Sequence, residues 1–228
     1  MVHDGHRERL RAKFLDVRDS FEDHELLELL LFYSIPRANT NEIAHDLLDR
    51  FGSLQGVFNA DIPALKQIDN LGEKSAIFLR VISEILLRYK LEDFEGINVL
   101  ESPETLKRYL CTLFVGTDNE RAYILLFNRS RRLMICRKIS EGYCAANTIT
   151  MRDISNASIN SNAAYAILVH NHPGGKAIPS GEDISTTNIV NRALKTNGIE
   201  FLEHFIIAGD VCTPIMKRSP DMIYTGNQ

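Results

Sequence analysis

The sequence predicts an α+β chain in two parts, an all-helical domain over residues 1–90 and an α/β domain over residues 102–228, joined by a linker at 91–101. Apolar residues follow the helical period up to about Tyr89. Beyond Ser102 they fall into short β-branched and aromatic runs interleaved with helical stretches. Between the two, residues 91–99 mix charge, Gly96 and Asn98 without any period, as a linker does.

In the helical half the apolar positions are Leu26, Leu27, Leu29, Leu30 and Leu31, then Ile43, Ala44, Leu47 and Leu48, then Ile77, Leu79, Val81, Ile82, Ile85 and Leu86. Breaks fall at Ile35-Pro36, Phe51-Gly52-Ser53 and Leu71-Gly72, each able to supply a turn or a cap. Ser102-Pro103-Glu104 then reads as an N-cap, a first-turn proline and a first-turn acid, with Leu106, Tyr109, Leu110 and Leu113 as the apolar stripe. Residues 122–127 and 132–139, separated by Asn128-Arg129-Ser130, predict a hairpin. A helix over 152–162, a strand over 163–170, a helix over 184–197 closed by Gly198 and a strand over 201–208 complete the expectation.

The chain has 228 residues, 44% of them apolar and 25% charged, enough for two compact domains. No stretch approaches the roughly 20 apolar residues of a membrane span. Residues 1–11 are charged rather than an apolar signal, so a cytoplasmic protein without a membrane partner is expected. Cys111, Cys136, Cys144 and Cys212 lie far apart without a C-x-x-C pair, which argues against a thiolate zinc cluster or a disulfide framework.

Chemistry concentrates in Val169-His170-Asn171-His172-Pro173-Gly174-Gly175 and Pro179-Ser180-Gly181-Glu182-Asp183. Residues two apart at a strand end point the same way, so His170 and His172 can present both imidazoles to one point while Asn171 faces away. The proline and glycines turn the chain, and Ser180 with Asp183 has the spacing of a helix N-terminal capping motif. By itself S-x-x-D marks a helix cap and H-x-H a pair of surface histidines. Together, two imidazoles and one carboxylate make a three-ligand zinc site with a fourth position for water, the arrangement of catalytic zinc.

His170-x-His172-Pro173, six residues, Ser180, two residues and Asp183 resembles the JAMM motif of MPN-type metallopeptidases. The wider chain is similar to the bacterial RadC family, traditionally called DNA repair proteins. The likeness includes residues 5–10, 25–33, Arg50-Phe51-Gly52-Ser53-Leu54, Leu71-Gly72-Glu73-Lys74-Ser75-Ala76, the His170 segment and Pro179-Ser180. It implies a JAB1/MPN, cytidine-deaminase-like domain that binds Zn2+ and hydrolyses peptide or isopeptide bonds of an unidentified protein or peptide substrate. It also implies Glu120 as the base that takes a proton from water, with Glu141 as the fallback, and Ser180 as a hydrogen-bond donor to the oxyanion.

The chain departs from the family pattern at Gly174, where serine is usual, and at residues 147–152, which lack the usual valine-tyrosine-proline-arginine wording. It departs again at Glu203-His204, where aspartate-histidine is usual. His204 alternates with Leu202 and Ile206, so it reads as a core or ligand-supporting residue rather than a fourth ligand.

Ile68-Asp69-Asn70-Leu71-Gly72-Glu73-Lys74-Ser75-Ala76 resembles the turn of a helix-hairpin-helix module, which offers backbone N–H groups to a DNA phosphate, with Lys74 the best nucleic-acid contact. Asn70 replaces the usual first glycine. Charge opposes DNA: residues 1–95 carry 12 Lys or Arg against 18 Asp or Glu, a net of −6, so phosphate neutralisation is weak. The leading reading is therefore a zinc metallohydrolase. The alternative is a DNA-repair or mobile-element-associated DNA-binding protein with a structural or vestigial zinc. Intact ligands argue against a purely non-catalytic interaction module.

Overall fold

The structure, a computed structural model, describes residues 2–117, 119–142, 149–158 and 161–225. The chain divides into two compact units, Met1–Arg88 with Gly116–Asp118, and Tyr89–Val115 with Asn119–Gln228. Cys144, residues 147–148 of the unusual wording and residues 159–160 of the expected helix lie outside the described residues.

The first unit holds α1 (Val2–Asp16), α2 (Asp23–Leu31), α3 (Thr40–Phe51), α4 (Leu54–Asn59), α5 (Ile62–Leu65) and the start of α6 (Glu73–Glu92). Of the expected apolar positions, Ile77, Val81, Ile85 and Leu86 are exposed on α6, while Leu27, Leu31, Ile43, Leu47 and Leu79 are buried together with Leu65. Each such side chain stabilises the fold by roughly 1.5–3 kcal/mol relative to exposure. Gly52 ends α3 at φ 79°, a left-handed cap that glycine adopts without a Cβ penalty. The Ser53 side chain then accepts from Gly56 N to start α4.

The second unit begins at Tyr89, ahead of the expected linker, and takes in all of it. α6 continues to Glu92, and Phe94, Val99 and Leu100 are buried in the core of this unit. Apolar residues this sparse in a polar stretch show no period, which is why the segment reads as a linker in sequence. There follow α7 (Pro103–Thr112), β1 (Arg121–Phe127), β2 (Leu133–Glu141), α8 (Met151–Ser158), β3 (Tyr165–Asn171), α9 (Gly181–Thr196), β4 (Glu200–Ala208), β5 (Val211–Pro214) and α10 (Pro220–Ile223). The sheet order is β2-β1-β3-β4-β5, with only β3 and β4 parallel.

Alternation along the strands divides two cores. Leu125, Phe127, Ile167 and Val169 pack with α7 and α10, whereas Ala122, Ile124, Leu126, Ala166 and Leu168 pack with α8 and α9. His170, two residues beyond Leu168, continues the second row and so points to the α9 side. Among the described residues no helix is long and apolar enough to cross a membrane.

Candidate metal centre

His170 is the penultimate residue of β3, buried completely and paired in register with Ala122 on β1 and Ile206 on β4. His172 leaves the strand end, its amide donating to Ile207 O at 2.8 Å. The chain then turns through Gly174 at φ 64°, a left-handed conformation in which the serine usual to the family would be strained. It returns to start α9 at Ser180.

That helix start delivers the third group. Asp183 N donates to Ser180 Oγ at 3.1 Å, while Asp183 Oδ2 accepts from Ser180 N at 2.8 Å and from the Ser180 hydroxyl at 2.7 Å. This capping box leaves Oδ1 facing His170 Nε2 at 3.0 Å, with Oδ2 lying 3.6 Å from His172 Nε2. The two Nε2 atoms are themselves 3.0 Å apart. Burial pushes the Asp183 carboxyl up, but the adjoining His170 imidazole and the bonds from the Ser180 amide and hydroxyl outweigh it and hold the group well below the usual carboxylate range. The Ser180 hydroxyl is thus engaged with Asp183, where the family resemblance leads one to expect a donor open to substrate.

Glu120 stands immediately before β1, and its carboxylate lies within 4.8 Å of the ligand atoms of both histidines. The segment that carries it is fastened by Asn171, the residue between the two histidines: Arg121 N donates to Asn171 Oδ1 at 2.7 Å, and Asn171 Nδ2 donates to Asn119 O at 3.1 Å. Glu141 is differently placed. Its carboxylate pairs with Arg121 Nε at 2.6 Å and with Lys138. Burial raises this carboxyl, but Lys138 and Arg121 lower it further, so it is a poor proton acceptor. Of the two carboxylates beside the histidines, Asp183 is buried and fixed through Oδ2 by Ser180, and Glu120 stands half-exposed at the rim.

A hydrogen-bond count shows that these groups suit a cation. His172 Nδ1 lies 3.0 Å from Lys176 O, and a carbonyl can only accept, so the proton sits on Nδ1 and the Nε2 lone pair faces inward. Neutral imidazole nitrogens and a carboxylate oxygen converging within 3.0–3.6 Å repel one another unless a positive charge stands among them. Nitrogen and oxygen donors of this kind are what zinc takes. The His172 side chain is 22% exposed, against 0% for His170 and 3% for Asp183, so the centre is reached from the His172 side.

A RadC-like JAB domain matches residues 100–218. The chain is 37% identical over 212 residues to a UPF0758 protein of Fusobacterium nucleatum, covering 89% of this chain and 91% of that one. It is 32% identical over 187 residues to a UPF0758 protein of Herminiimonas arsenicoxydans, covering 82% and 84%. The chain belongs to the RadC family. The centre of this RadC chain therefore stands in the JAB domain, at the α9 end of β3.

Some participants are not visible in the RadC motif. Thr187 and the Lys176 carbonyl have no signature of their own, Asn171 acts from inside the motif, and His204, read in sequence as a core or ligand-supporting residue, stands apart from it. His204 Nε2 lies 2.8 Å from His170 Nδ1, and His204 Nδ1 lies 2.7 Å from Thr187 Oγ1. Burial, with His170 adding to it, pushes the His204 imidazole well below its ordinary range. Sequence alternation puts Leu202 on the same side as His204. In the structure a β-bulge between Ala166 and Ile167 in the β3–β4 pairing changes the phase, so that Leu202 packs with the α7 core and His204 lies against His170.

In the helical unit, Asn70 takes φ 62°, the left-handed geometry its turn requires. Gly72 and Lys74 are exposed at the start of α6. Arg80 donates to the carbonyls of Phe58, Asn59 and Gly116, and Arg88 pairs with Glu84, so two of the cations that could meet a phosphate are engaged within the chain.

Proposed function

We propose that this RadC-family chain is a zinc-dependent hydrolase of peptide or isopeptide bonds. The observation that carries the reading is the convergence of His170 Nε2, His172 Nε2 and the Asp183 carboxylate, with the Glu120 carboxylate within 4.8 Å of both imidazoles. His170, His172 and Asp183 would hold the ion. Zinc in such a set supplies Lewis acidity, making water nucleophilic near neutral pH and polarising a carbonyl.

The chain's own groups do the rest. The Glu120 carboxylate accepts the proton of the attacking water and later delivers it to the departing amine nitrogen. Asn171 keeps Glu120 in place by fastening Asn119 and Arg121 on either side of it. Ser180 fixes the orientation of Asp183, and donation to a developing oxyanion calls for its hydroxyl to rotate away from Oδ2. Three protein ligands and a half-exposed carboxylate at the rim support a catalytic rather than a closed structural metal.

The test is a screen of the zinc-loaded full chain on peptide and isopeptide libraries. Turnover that a chelator removes and zinc restores is expected. A fully metal-loaded protein without turnover on either library would refute the hydrolase.

A further inference from the structure

We infer that His204 and Thr187 are positioning residues that set the tautomer of His170, turning its Nε2 lone pair toward the metal position. The inference rests on the proposed metal site for what that lone pair does. It rests on hydrogen-bond accounting for where the proton lies.

The accounting starts at a carbonyl. Thr187 Oγ1 lies 2.7 Å from Asp183 O, which can only accept, so the single hydroxyl hydrogen is committed there. Thr187 Oγ1 must then accept in its 2.7 Å contact with His204 Nδ1, and the His204 proton sits on Nδ1. His204 is completely buried, and its ring nitrogens meet Thr187 and His170. The adjacent Glu203 carboxylate gives the ring nothing, because it accepts from the amides of His204, Met216 and Arg218. A buried imidazole with no carboxylate on either nitrogen stays neutral. Its Nε2 is therefore an acceptor, and His170 Nδ1–H donates to it across 2.8 Å.

His170 is left with its lone pair on Nε2, facing Asp183 Oδ1 and His172 Nε2, each at 3.0 Å. The hydrogen bonds run one way, from His170 Nδ1–H through His204 and Thr187 to the Asp183 carbonyl, the residue whose carboxylate faces His170 Nε2. One ligand thus sets the proton of the other. His172 obtains the same tautomer more simply, from the Lys176 carbonyl. The bulge in β4 serves this arrangement, since without the phase change His204 would lie on the far face of the sheet.

The experiment uses the full-length chain. Nitrogen-15 side-chain spectra of the metal-free protein, above the imidazole titration range, read the tautomer directly. His170 and His204 are both expected as Nδ1–H. Zinc affinity, measured against a chromogenic chelator, should fall about 10–100-fold in His204→Leu, as for loss of other groups that orient metal-bound histidines. His204→Gln should retain most of the affinity, because its amide oxygen can accept from His170 Nδ1–H. Thr187→Val should lose affinity and Thr187→Ser regain it, a pattern that loss of packing alone does not give. If His204→Leu does not fold, the threonine pair and the wild-type spectrum carry the test. If the wild-type chain binds no zinc, the proposed function fails while the spectrum still decides this inference. His170 found as Nε2–H in the wild-type chain, or wild-type affinity in His204→Leu and Thr187→Val, overturns it.

Discussion

Two helices of the α/β unit begin with the same device and put it to different use. At the start of α8, Thr150 and Asp153 form the three bonds that Ser180 and Asp183 form at the start of α9. Asp153 Oδ2 accepts from Thr150 N at 2.9 Å and from its hydroxyl at 2.6 Å, and Asp153 N donates to Thr150 Oγ1 at 3.3 Å. The Asp153 box lies at the surface. Asp183 is buried, and its remaining oxygen meets His170. A capping box is thus a way of fixing a carboxylate in one orientation. Whether that carboxylate does chemistry depends on what the fold brings to its other oxygen.

The largest expected effect separates the α9 start from every ordinary helix start. Glu120→Gln should keep the metal, since no ligand is lost, yet reduce hydrolysis by about 10²–10⁴-fold, because an amide cannot take the proton. Steady-state rates with metal content measured in the same samples check this. Full activity in the variant would move the base elsewhere.

Next, Ser180→Ala and Thr150→Ala form a matched pair. Each should destabilise the fold by about 1 kcal/mol through loss of a cap. Only Ser180→Ala should also weaken zinc binding, by about 10–100-fold, because only there does the lost hydroxyl orient a ligand. Denaturant unfolding and a chelator titration read the two effects separately. Equal zinc affinity in the pair would break the distinction.

A smaller effect concerns pH. The Thr150 hydroxyl, and then its amide, hold Asp153 below the usual carboxylate range. A depressed folded pKa contributes stability above the unfolded carboxyl range, lost as pH falls through the folded value. The cost of Asp153→Asn in melting temperature should therefore be greatest near neutrality and shrink in acid. A cost independent of pH would show that the charge adds nothing to the cap.

The smallest expected effect is at a third helix start, that of α6. The full chain should bind duplex DNA weakly at physiological salt, and Lys74→Ala should change this little, given the net −6 of residues 1–95. Labelled DNA titrated at two salt concentrations tests it. Sub-micromolar, steeply salt-dependent binding lost in Lys74→Ala would give the α6 start a function of its own.

The two helix starts also show what a sequence can tell. The S-x-x-D box is read in the sequence beside the H-x-H pair, whereas the T-x-x-D box of α8, ahead of a helix expected only from residue 152, is found in the structure. The strand before His170 and the helix after Ser180 follow from periodicity, because side-chain alternation and capping are local properties. His204 is different. Its side of the sheet depends on a bulge in the β3–β4 pairing that strand alternation in β4 does not record, so counting from Leu202 gives the wrong face. Lys176 acts through its carbonyl, which carries no side-chain signature. Val99 and Leu100 are buried by partners distant in sequence, which no local period reveals.

The most direct test of the central claim is the zinc content of three full-length proteins after equilibrium dialysis: wild type, Asp183→Ala and Asp153→Ala. Both variants lose a capping carboxylate, so loss of a cap by itself cannot account for a difference in zinc content. Close to one zinc per chain is expected in the wild type and in Asp153→Ala, with most of it lost in Asp183→Ala. Zinc retained in full by Asp183→Ala would contradict the account.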